Sequence, residues 1–165
     1  MDHALNESFR SAMRRFTATV TIISAAHQGE RHGMTATAVT SVSIAPPSLL
    51  VCVNRAGRLH DMMSACRRFC VNVLHAEQCG VSRVFAQADS TERFAHGDWR
   101  ENPQGVPYLQ GAQVSIFCRR NAVVPYGSHG VFFGDVEQIE QRDDISPLLY
   151  QNGGYGTYGP LRAAS

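Results

Sequence analysis

The amino-acid sequence predicts a mainly β protein, an antiparallel barrel with a few short helices, formed as one domain over residues 1–165. Six or seven segments rich in β-branched residues are joined mostly by turns, and helical spacing is confined to short stretches. The length of 165 residues, with 44% hydrophobic and 18% charged residues, suits a globular domain with a genuine core. Two of the connections contain a helix, so a purely up-and-down topology does not follow.

The first half of the chain begins with a helical pattern and continues as strands. Phe9, Met13 and Phe16 recur at the i, i+4, i+7 spacing of a helix. The β-branched stretch TATVTIISA is typical of a strand, and Pro46-Pro47 ends a later one, because neither proline can donate to a β-ladder. The predicted elements are a helix over 6–16 and strands over 17–25, 33–44 and 48–54.

The second half alternates short helices with longer strands. Apolar residues at helical or strand spacing define these elements, and residues 89–108 between them are polar and rich in Gly and Pro. A long loop in a compact domain is usually functional or disordered. The predicted elements are helices over 57–65 and 77–88, and strands over 69–74, 112–124, 131–141 and 148–151.

The segment 33–44 carries an unusual row of small hydroxyl side chains. Because side chains alternate along a strand, one face would hold Thr35, Thr37, Val39, Ser41 and Ser43. An ordinary solvent-facing strand is one interpretation, but this face carries no long charged side chain. The other is a wall for a flat, polar-edged, anionic ligand that the hydroxyls and the backbone amides would bind.

The strand that follows is apolar on both faces and is therefore expected to be buried. It ends in Asn54-Arg55, which brings an amide and a guanidinium to the point where the strand leaves the sheet. Arginine is the side chain best shaped to bind a phosphate through two hydrogen bonds. These two residues therefore extend the candidate ligand wall with a candidate phosphate site.

The charge balance excludes several classes of function. The net charge of +1 and the pI of about 7.7 are too balanced for a protein that grips nucleic acid, so no nucleic-acid partner is expected. All the basic residues are arginines, which excludes a phosphate-loop lysine and a Schiff-base lysine. No apolar run approaches transmembrane length and the N-terminus is unlike a signal peptide, so we expect no membrane association.

The five cysteines indicate a reducing compartment. Their odd number prevents complete disulfide pairing, no Cys-x-x-Cys occurs, and the seven histidines have no metal-ligand spacing. We expect buried, reduced thiols, no metal site and a cytoplasmic location. The cysteines are Cys52, Cys66, Cys70, Cys79 and Cys118.

Five stretches together resemble a known family. They are GMTATAVTSVSIAPPSLLVCVNR, FCVNVL, ERFAHGDW, YGSHGVFFGDVE and PLLYQNGGY, and they span about residues 8–158. The chain resembles the flavin reductase domain of two-component flavin-dependent monooxygenases, and is similar to the reductase component of 4-hydroxyphenylacetate monooxygenases. The resemblance implies an FMN-binding type of split β-barrel and a homodimer. It also implies reduction of FMN or FAD by NADH or NADPH, with the reduced flavin supplied to a partner monooxygenase.

The resemblance also implies roles for individual residues. His129 would lie beside the flavin where nicotinamide docks, and would position the nicotinamide more than transfer a proton. Many relatives carry Ser where this chain has Ala56, and Asp or Thr where it has Ser128, which affects phosphate anchoring and nicotinamide preference. The implied flavin-binding residues are Thr35, Ala36, Thr37, Ala38, Ser41, Val42, Ser43, Val53, Asn54, Arg55, Arg93 and Phe94, and the implied nicotinamide-binding residues are His129 and Tyr155.

Plainer interpretations of these residues stay open. His129, between Gly127 and Gly130, could be a turn histidine exposed to water, although the glycines allow a ligand to come close. Arg93 and Phe94 could be a surface arginine beside a core phenylalanine. Trp99, the only tryptophan, is expected to pack and not to stack on a ring.

A glycine-rich motif near the C-terminus is not interpreted as a dinucleotide fingerprint. Residues 154–159 spell G-x-G-x-x-G, but such a fingerprint must follow a strand and open a helix within a βαβ unit. Here only PLRAAS follows, so we expect a loop near the barrel mouth. Two rival functions remain: a non-catalytic FMN-binding or electron-shuttling split barrel, and a pyridoxine-phosphate oxidase relative, which the hydroxyl-rich wall and Gly-Ser-His-Gly fit poorly.

Overall fold

The computed structural model describes residues 3–87 and 92–161, and strands dominate it. The helices are α1 (His3–Met13), α2 (Arg58–Ala65) and α3 (Cys79–Gln87), with 3₁₀ turns at Ala76–Gln78 and Arg93–Ala95. The strands are β1 (Ala18–Thr19), β2 (Thr21–His27), β3 (Glu30–Ala36), β4 (Val39–Ile44), β5 (Pro47–Asn54), β6 (Arg68–Val73), β7 (Trp99–Glu101), β8 (Pro107–Leu109), β9 (Val114–Tyr126), β10 (His129–Gln141), β11 (Leu148–Gln151) and β12 (Gly154–Thr157).

Seven antiparallel strands form the main sheet, in the order β3-β2-β6-β9-β10-β5-β4. Its two edge strands, β3 and β4, are consecutive in the chain, with only Thr37 and Ala38 between them. Three Cα–Cα steps span at most about 11 Å, so the sheet must curl until its edges meet. The result is a barrel that stays open along one line, which we call the seam, at residues 37–38. This confirms the antiparallel split barrel that the sequence predicts.

Apolar side chains fill both faces of the curled sheet. Successive residues of β2 point to opposite sides, so Ile23 enters the barrel interior with Phe69 and Phe132. Ile22 faces outward and is covered by Phe85 of α3. All five side chains are at most 1% exposed. The central strands therefore need apolar residues on both faces, as β2 has.

A buried asparagine joins strands β6 and β2 of the main sheet to strand β8. The side-chain amide of Asn72 on β6 donates at 2.9 Å to the Ile22 carbonyl and at 2.9 Å to Ser24 Oγ, both on β2. Its oxygen accepts from the Leu109 amide of β8 at 2.8 Å. A polar group with no exposed surface is thus satisfied by hydrogen bonds, which fixes β8 against the barrel.

Several predicted elements have different boundaries in the structure. The first helix lies at His3–Met13 and not at 6–16. The continuous strand predicted over 33–44 was wrong, because the chain passes from one edge of the barrel to the other at the seam. Pro46 and Pro47 do end a strand, since β4 stops at Ile44 and β5 begins at Pro47.

The loop and the glycine-rich segment also contain more structure than expected. Part of the predicted loop 89–108 forms the paired strands β7 and β8, and residues 88–91 lie outside the described part of the chain. Four of the glycine-rich residues form β12, which pairs with β11 where a loop was predicted. Within the described residues, no helix is both long and apolar enough to cross a membrane.

Candidate functional site

The seam leaves a short piece of backbone outside the β-ladders. Thr37 and Ala38 are both exposed and carry small side chains. The Ala38 carbonyl accepts from the Cys52 amide at 3.0 Å, which holds the seam against β5. Beside it lies a cleft of about 510 Å³, the seam cleft, lined on this side by Thr37, Val39 and Ser41. A ligand there would contact both hydroxyls and main chain.

The predicted row of hydroxyls is divided by the seam. Thr35 is on β3, where its hydroxyl donates at 2.9 Å to the Ser82 carbonyl, so it supports α3. On β4, a register shift between Ser41 and Ser43 interrupts the alternation, and Ser43 Oγ accepts from the Ala45 amide at 3.1 Å. The single wall from 35 to 43 was therefore wrong, because a strand that changes edges cannot keep one face.

The remaining members of the predicted flavin wall differ in exposure. Ala36 is buried in the barrel core, and its carbonyl accepts from the Thr21 hydroxyl at 2.7 Å. Val42 is 49% exposed at the bulge of β4. Of the predicted wall, Thr37, Val39 and Ser41 line the seam cleft, and Ala36 and Val42 do not.

The end of β5 gathers three of the predicted residues into what we call the β5 corner, formed by Asn54, Arg55 and His129. Asn54 is directly opposite His129 in the ladder between β5 and β10. The Arg55 amide donates to the Ser128 carbonyl at 2.9 Å, and its guanidinium reaches the Gly127 carbonyl at 3.5 Å. All three side chains are exposed, so a cation and an imidazole face outward together.

The histidine of this corner has a defined neighbour. His129 Nδ1 lies 2.9 Å from Ser128 Oγ, a hydrogen bond that holds one ring nitrogen and leaves Nε2 for another partner. Gly127, with φ of +53°, has open space where a side chain would be. Val53 is buried behind the corner. The open space around Gly127 fits the close approach that the flanking glycines suggested.

His60 is a residue of this region that the sequence reasoning missed. A Cβ on Gly130 would lie 2.8 Å from His60 Nε2, so the imidazole packs on the backbone directly beside His129. The His60 ring also meets Phe132 edge-on at 5.3 Å. Its Nδ1 is buried without a hydrogen-bond partner among the described residues. A histidine next to an inward-facing Leu59 gave no signal of this packing.

Tyr155 belongs to a different group of contacts. Its hydroxyl lies 3.0 Å from Ser82 Oγ, and Ser82 in turn accepts the Thr35 hydroxyl through its carbonyl. The Arg83 guanidinium lies 5.6 Å from the centre of the tyrosine ring. The structure thus places Tyr155 against α3 and, through Ser82, near β3. Among the described residues, no contact joins it to His129.

Arg93 and Phe94 support β3 from the outside. Arg93 Nη1 donates at 2.9 Å to the Gly33 carbonyl, two residues before Thr35. Phe94 is 9% exposed, and its ring meets those of Phe85 and Trp99 at 5.2 and 4.8 Å. Phe94 and Trp99 are therefore packing residues, and the expectation that the tryptophan packs is confirmed.

The thiols are free, and three of them are buried. Burial raises the pKa of Cys66 and raises that of Cys70 well above its usual value. Burial, with Glu137 and Asp135 nearby, raises the pKa of Cys118 to about 12. Neutral, enclosed thiols of this kind are poor nucleophiles, so they have no part in the site. The expectation of burial was too broad, since Cys52 and Cys79 are half-buried.

A barrel open along one seam, with a ligand-sized cleft and an exposed cationic corner beside it, defines a split barrel built to bind a small anionic cofactor. The chain belongs to the flavin reductase like domain family, whose model matches residues 13–159. The family that the sequence resembles is thereby confirmed.

Known relatives agree over nearly the whole chain. The chain is 45% identical to the reductase component of the FADH(2)-dependent resorcinol hydroxylase of Rhizobium sp. (strain MTP-10005), over 94% of this chain and 89% of that protein. It is 37% identical to the 4-hydroxyphenylacetate 3-monooxygenase reductase component of Pseudomonas aeruginosa, over 87% and 86%. Among solved structures, the NADH:FAD oxidoreductase SgcE6 of Streptomyces globisporus C-1027, in complex with NAD and FAD fragments, has a TM-score of 0.89 at 29% identity, over 97% and 96%.

The residues at the seam fit a flavin. A flat ring with polar edges needs small side chains and accessible backbone, which Thr37 and Ala38 provide. The negative phosphate of a flavin nucleotide needs an exposed cation, and Arg55 is exposed three residues after Cys52, whose amide is hydrogen-bonded to the Ala38 carbonyl of the seam.

Proposed function

We propose that this protein is an NAD(P)H-dependent flavin reductase that delivers reduced FMN or FAD to a partner monooxygenase. It is an oxidoreductase whose flavin leaves as product. The observation that carries the proposal is the seam, where exposed small residues border a cleft and stand next to the β5 corner. Relatives named as reductase components of hydroxylases and monooxygenases support the same assignment.

We assign the flavin ring to the backbone at Thr37 and Ala38, with the ribityl-phosphate directed to Asn54 and Arg55. The seam cleft allows the ring to lie along residues that do not take part in a ladder. The exposed guanidinium of Arg55 would neutralise the phosphate through charge-assisted hydrogen bonds. Thr35, Phe94 and Ala36 hold β3 in place and act on the ring only through that strand.

His129 would hold the nicotinamide. A bound flavin supplies the acceptor for the hydride that the nicotinamide ring donates, and the protein supplies orientation and charge. With Nδ1 held by Ser128 Oγ, the imidazole presents Nε2 to a ligand carboxamide or phosphate. The assignment of Tyr155 to the nicotinamide rests on the resemblance alone, because its hydroxyl contacts Ser82 of α3 and not the β5 corner.

The protein as a whole would act as one domain, as a homodimer and in the cytoplasm. Several large apolar side chains remain exposed on one chain, which supports association with a second copy. Five free cysteines support a reducing compartment.

Stopped-flow absorbance tests the function directly. Purified protein is mixed anaerobically with NADH or NADPH and an excess of FMN or FAD, and the oxidised-flavin band is followed. We expect multiple turnovers, with one flavin bleached per reduced nicotinamide consumed. Bleaching limited to one equivalent of bound flavin would indicate an electron-shuttling protein, and no bleaching beside a competent control reductase would exclude a reductase.

A further inference from the structure

His60 joins the start of α2 to the start of β10. Its backbone amide donates to the Gly57 carbonyl at 3.0 Å, within the first turn of the helix. Its ring lies against Gly130 of β10, where an added Cβ would be 2.8 Å from His60 Nε2 and 3.0 Å from Cδ2. Gly130 follows His129 in the chain, so the ring contacts the backbone next to the histidine that we assign to the nicotinamide.

Packing holds the His60 ring in this place. The ring meets Phe132 edge-on at 5.3 Å, and the His60 side chain is 18% exposed. Nδ1 is buried and has no hydrogen-bond partner among the described residues, and Asp61 Oδ1, at 3.7 Å, is beyond hydrogen-bond distance. A buried nitrogen without a partner lowers stability, so what this side chain contributes to the contact is its shape.

The same helix begins at the turn that carries Arg55. In this turn the Gly57 amide donates to the Asn54 carbonyl at 3.1 Å, so a movement of the helix is passed on to the residues between them. A shift of α2 relative to β10 would therefore move Arg55 relative to His129. The packing of His60 on β10 opposes that shift.

We propose that His60 is a positioning residue for the reduction of flavin. Its ring fixes the spacing between Arg55 and His129, and with it the alignment of the two bound rings, and it touches neither ligand. This inference rests on the proposed function, which assigns the flavin phosphate to Arg55 and the nicotinamide to His129. A displacement of about 1 Å can lower a rate by about a hundredfold, so a small shift of the β5 corner is enough.

Single-turnover stopped-flow measurement separates hydride transfer from binding. Protein loaded with FMN is mixed anaerobically with saturating NADH, and the oxidised-flavin band is followed. We expect His60→Ala to lower the rate of flavin reduction by at least about tenfold, because the two rings lose their alignment. The FMN dissociation constant should change by less than about twofold, because the residues assigned to the flavin are kept.

Side chains of graded length test whether the contact with Gly130 is what matters. His60→Gln is long enough to reach Gly130 and should stay within about threefold of the wild-type rate, whereas His60→Asn is one methylene shorter and should be as slow as His60→Ala. His60→Asn also takes the place of His60→Ala if the alanine variant does not fold. Thermal melting followed by circular dichroism establishes which variants are folded.

His75→Ala is the matched control. It removes a buried imidazole from the turn before α3, where Nδ1 accepts from the Glu77 amide at 3.3 Å. A loss of stability is expected there too, but the rate of flavin reduction should equal that of the wild type. The comparison separates positioning at the β5 corner from a general effect of losing a packed histidine.

Amide hydrogen exchange of Arg55, measured by nuclear magnetic resonance, needs neither ligand nor turnover. This amide is bonded to the Ser128 carbonyl at 2.9 Å across the β5 corner, so its exchange reports the spacing directly. We expect exchange at least about tenfold faster in His60→Ala and unchanged in His75→Ala.

Three results would overturn the proposal. They are unchanged Arg55 exchange in folded His60→Ala, a rate of flavin reduction in that variant within about twofold of the wild type, and a folded His60→Gln as slow as His60→Ala. A wild type that reduces no flavin, with Arg55 exchange that still depends on His60, would instead contradict the proposed function.

Discussion

At the scale of single residues, the β5 corner brings the imidazole of His129 and the guanidinium of Arg55 together at the surface. His129 has one nitrogen bonded to Ser128 Oγ, and the space where a side chain on Gly127 would lie is open. Arg55 is attached to the same turn through the Ser128 carbonyl. In the proposed assignment, nicotinamide binding would depend on His129 and phosphate binding on Arg55, so substitution of the two side chains would separate these functions.

We expect His129→Ala to lower kcat/KM for NADH by about tenfold or more, because it removes one hydrogen bond to the reductant, worth about 1.4 kcal/mol or more. The flavin dissociation constant, measured by fluorescence titration, should change less than about twofold. The corresponding experiment compares NADH-dependent flavin reduction with flavin binding for the same preparation.

His96→Ala is the matched control, because that histidine is also exposed but lies on the turn before Trp99. Its kinetics should equal those of the wild type. Equal losses of NADH use and flavin affinity in His129→Ala would show that the histidine contacts the flavin and not the nicotinamide.

At the scale of elements, the close packing of β10 against the barrel core depends on Gly134. A Cβ at Gly134 would lie 2.7 Å from Phe69 Cζ and 2.8 Å from Cys118 Cβ, and both side chains are buried. There is no room for an added methyl group unless the phenyl ring or the neighbouring strand shifts. The packing of β10 on β6 and β9 therefore requires a residue without a side chain at this point.

Gly134→Ala should lower the free energy of unfolding by about 1–3 kcal/mol, the range for overpacking in a well-packed core. Urea denaturation followed by circular dichroism measures this change. Gly156→Ala in β12 is the control, because nothing lies within 4 Å of the added Cβ, and its stability should change by less than about 0.5 kcal/mol. Equal free energies of unfolding for Gly134→Ala and Gly156→Ala would contradict the prediction, because the Phe69 ring would then move aside at no measurable cost.

The contrast between β5 and the segment 33–44 shows how much of the elements the sequence can predict. Strand β5 is apolar on both faces and bounded by prolines and Asn54, and its existence was predicted correctly. Only the face of Leu49, Val51 and Val53 is buried, while Leu50 and Cys52 on the other face are half-buried. The segment 33–44 has β-branched residues on both sides of Thr37 and Ala38, so local propensity carries no mark of the break there. That break is imposed by closure of the sheet, a property of seven strands together.

The candidate site was predictable to the same extent. The resemblance identified Asn54, Arg55 and His129, and the structure brings them to one corner because β5 and β10 are paired there. Periodicity could not show that the Thr35 hydroxyl is already bonded to Ser82, since that contact joins residues 47 apart in the chain. The position of His60 depends on packing between distant elements and had no local signal.

At the scale of the whole molecule, one chain leaves a large apolar surface exposed. The helix α1 has no buried residue, although Leu5 and Phe9 lie on one side of it and are 66% and 63% exposed. Ile44, at the end of β4 farther from the seam, is 91% exposed. Large apolar side chains exposed to this degree are consistent with the proposed homodimer.

Sedimentation equilibrium should give twice the chain mass of 18.1 kDa. Phe9→Asp/Ile44→Asp should weaken dimerisation by about a hundredfold or more. Burying each such side chain contributes about 1.5–3 kcal/mol, and a twofold-symmetric interface loses every contact twice. Ile145→Asp is the control, since Ile145 is 84% exposed but lies in the connection between β10 and β11. A monomeric wild type at micromolar concentration would contradict the dimer.

The two-residue link between β3 and β4 has a mechanical consequence. Each edge strand is hydrogen-bonded to one neighbouring strand and joined covalently to the other edge strand. Local opening of either strand therefore strains the other. A ligand bound at Thr37 and Ala38 would therefore stabilise both edge strands, and its release would destabilise β3 and β4 together. Amide hydrogen exchange in β3 and in β4 should therefore slow together when the ligand binds.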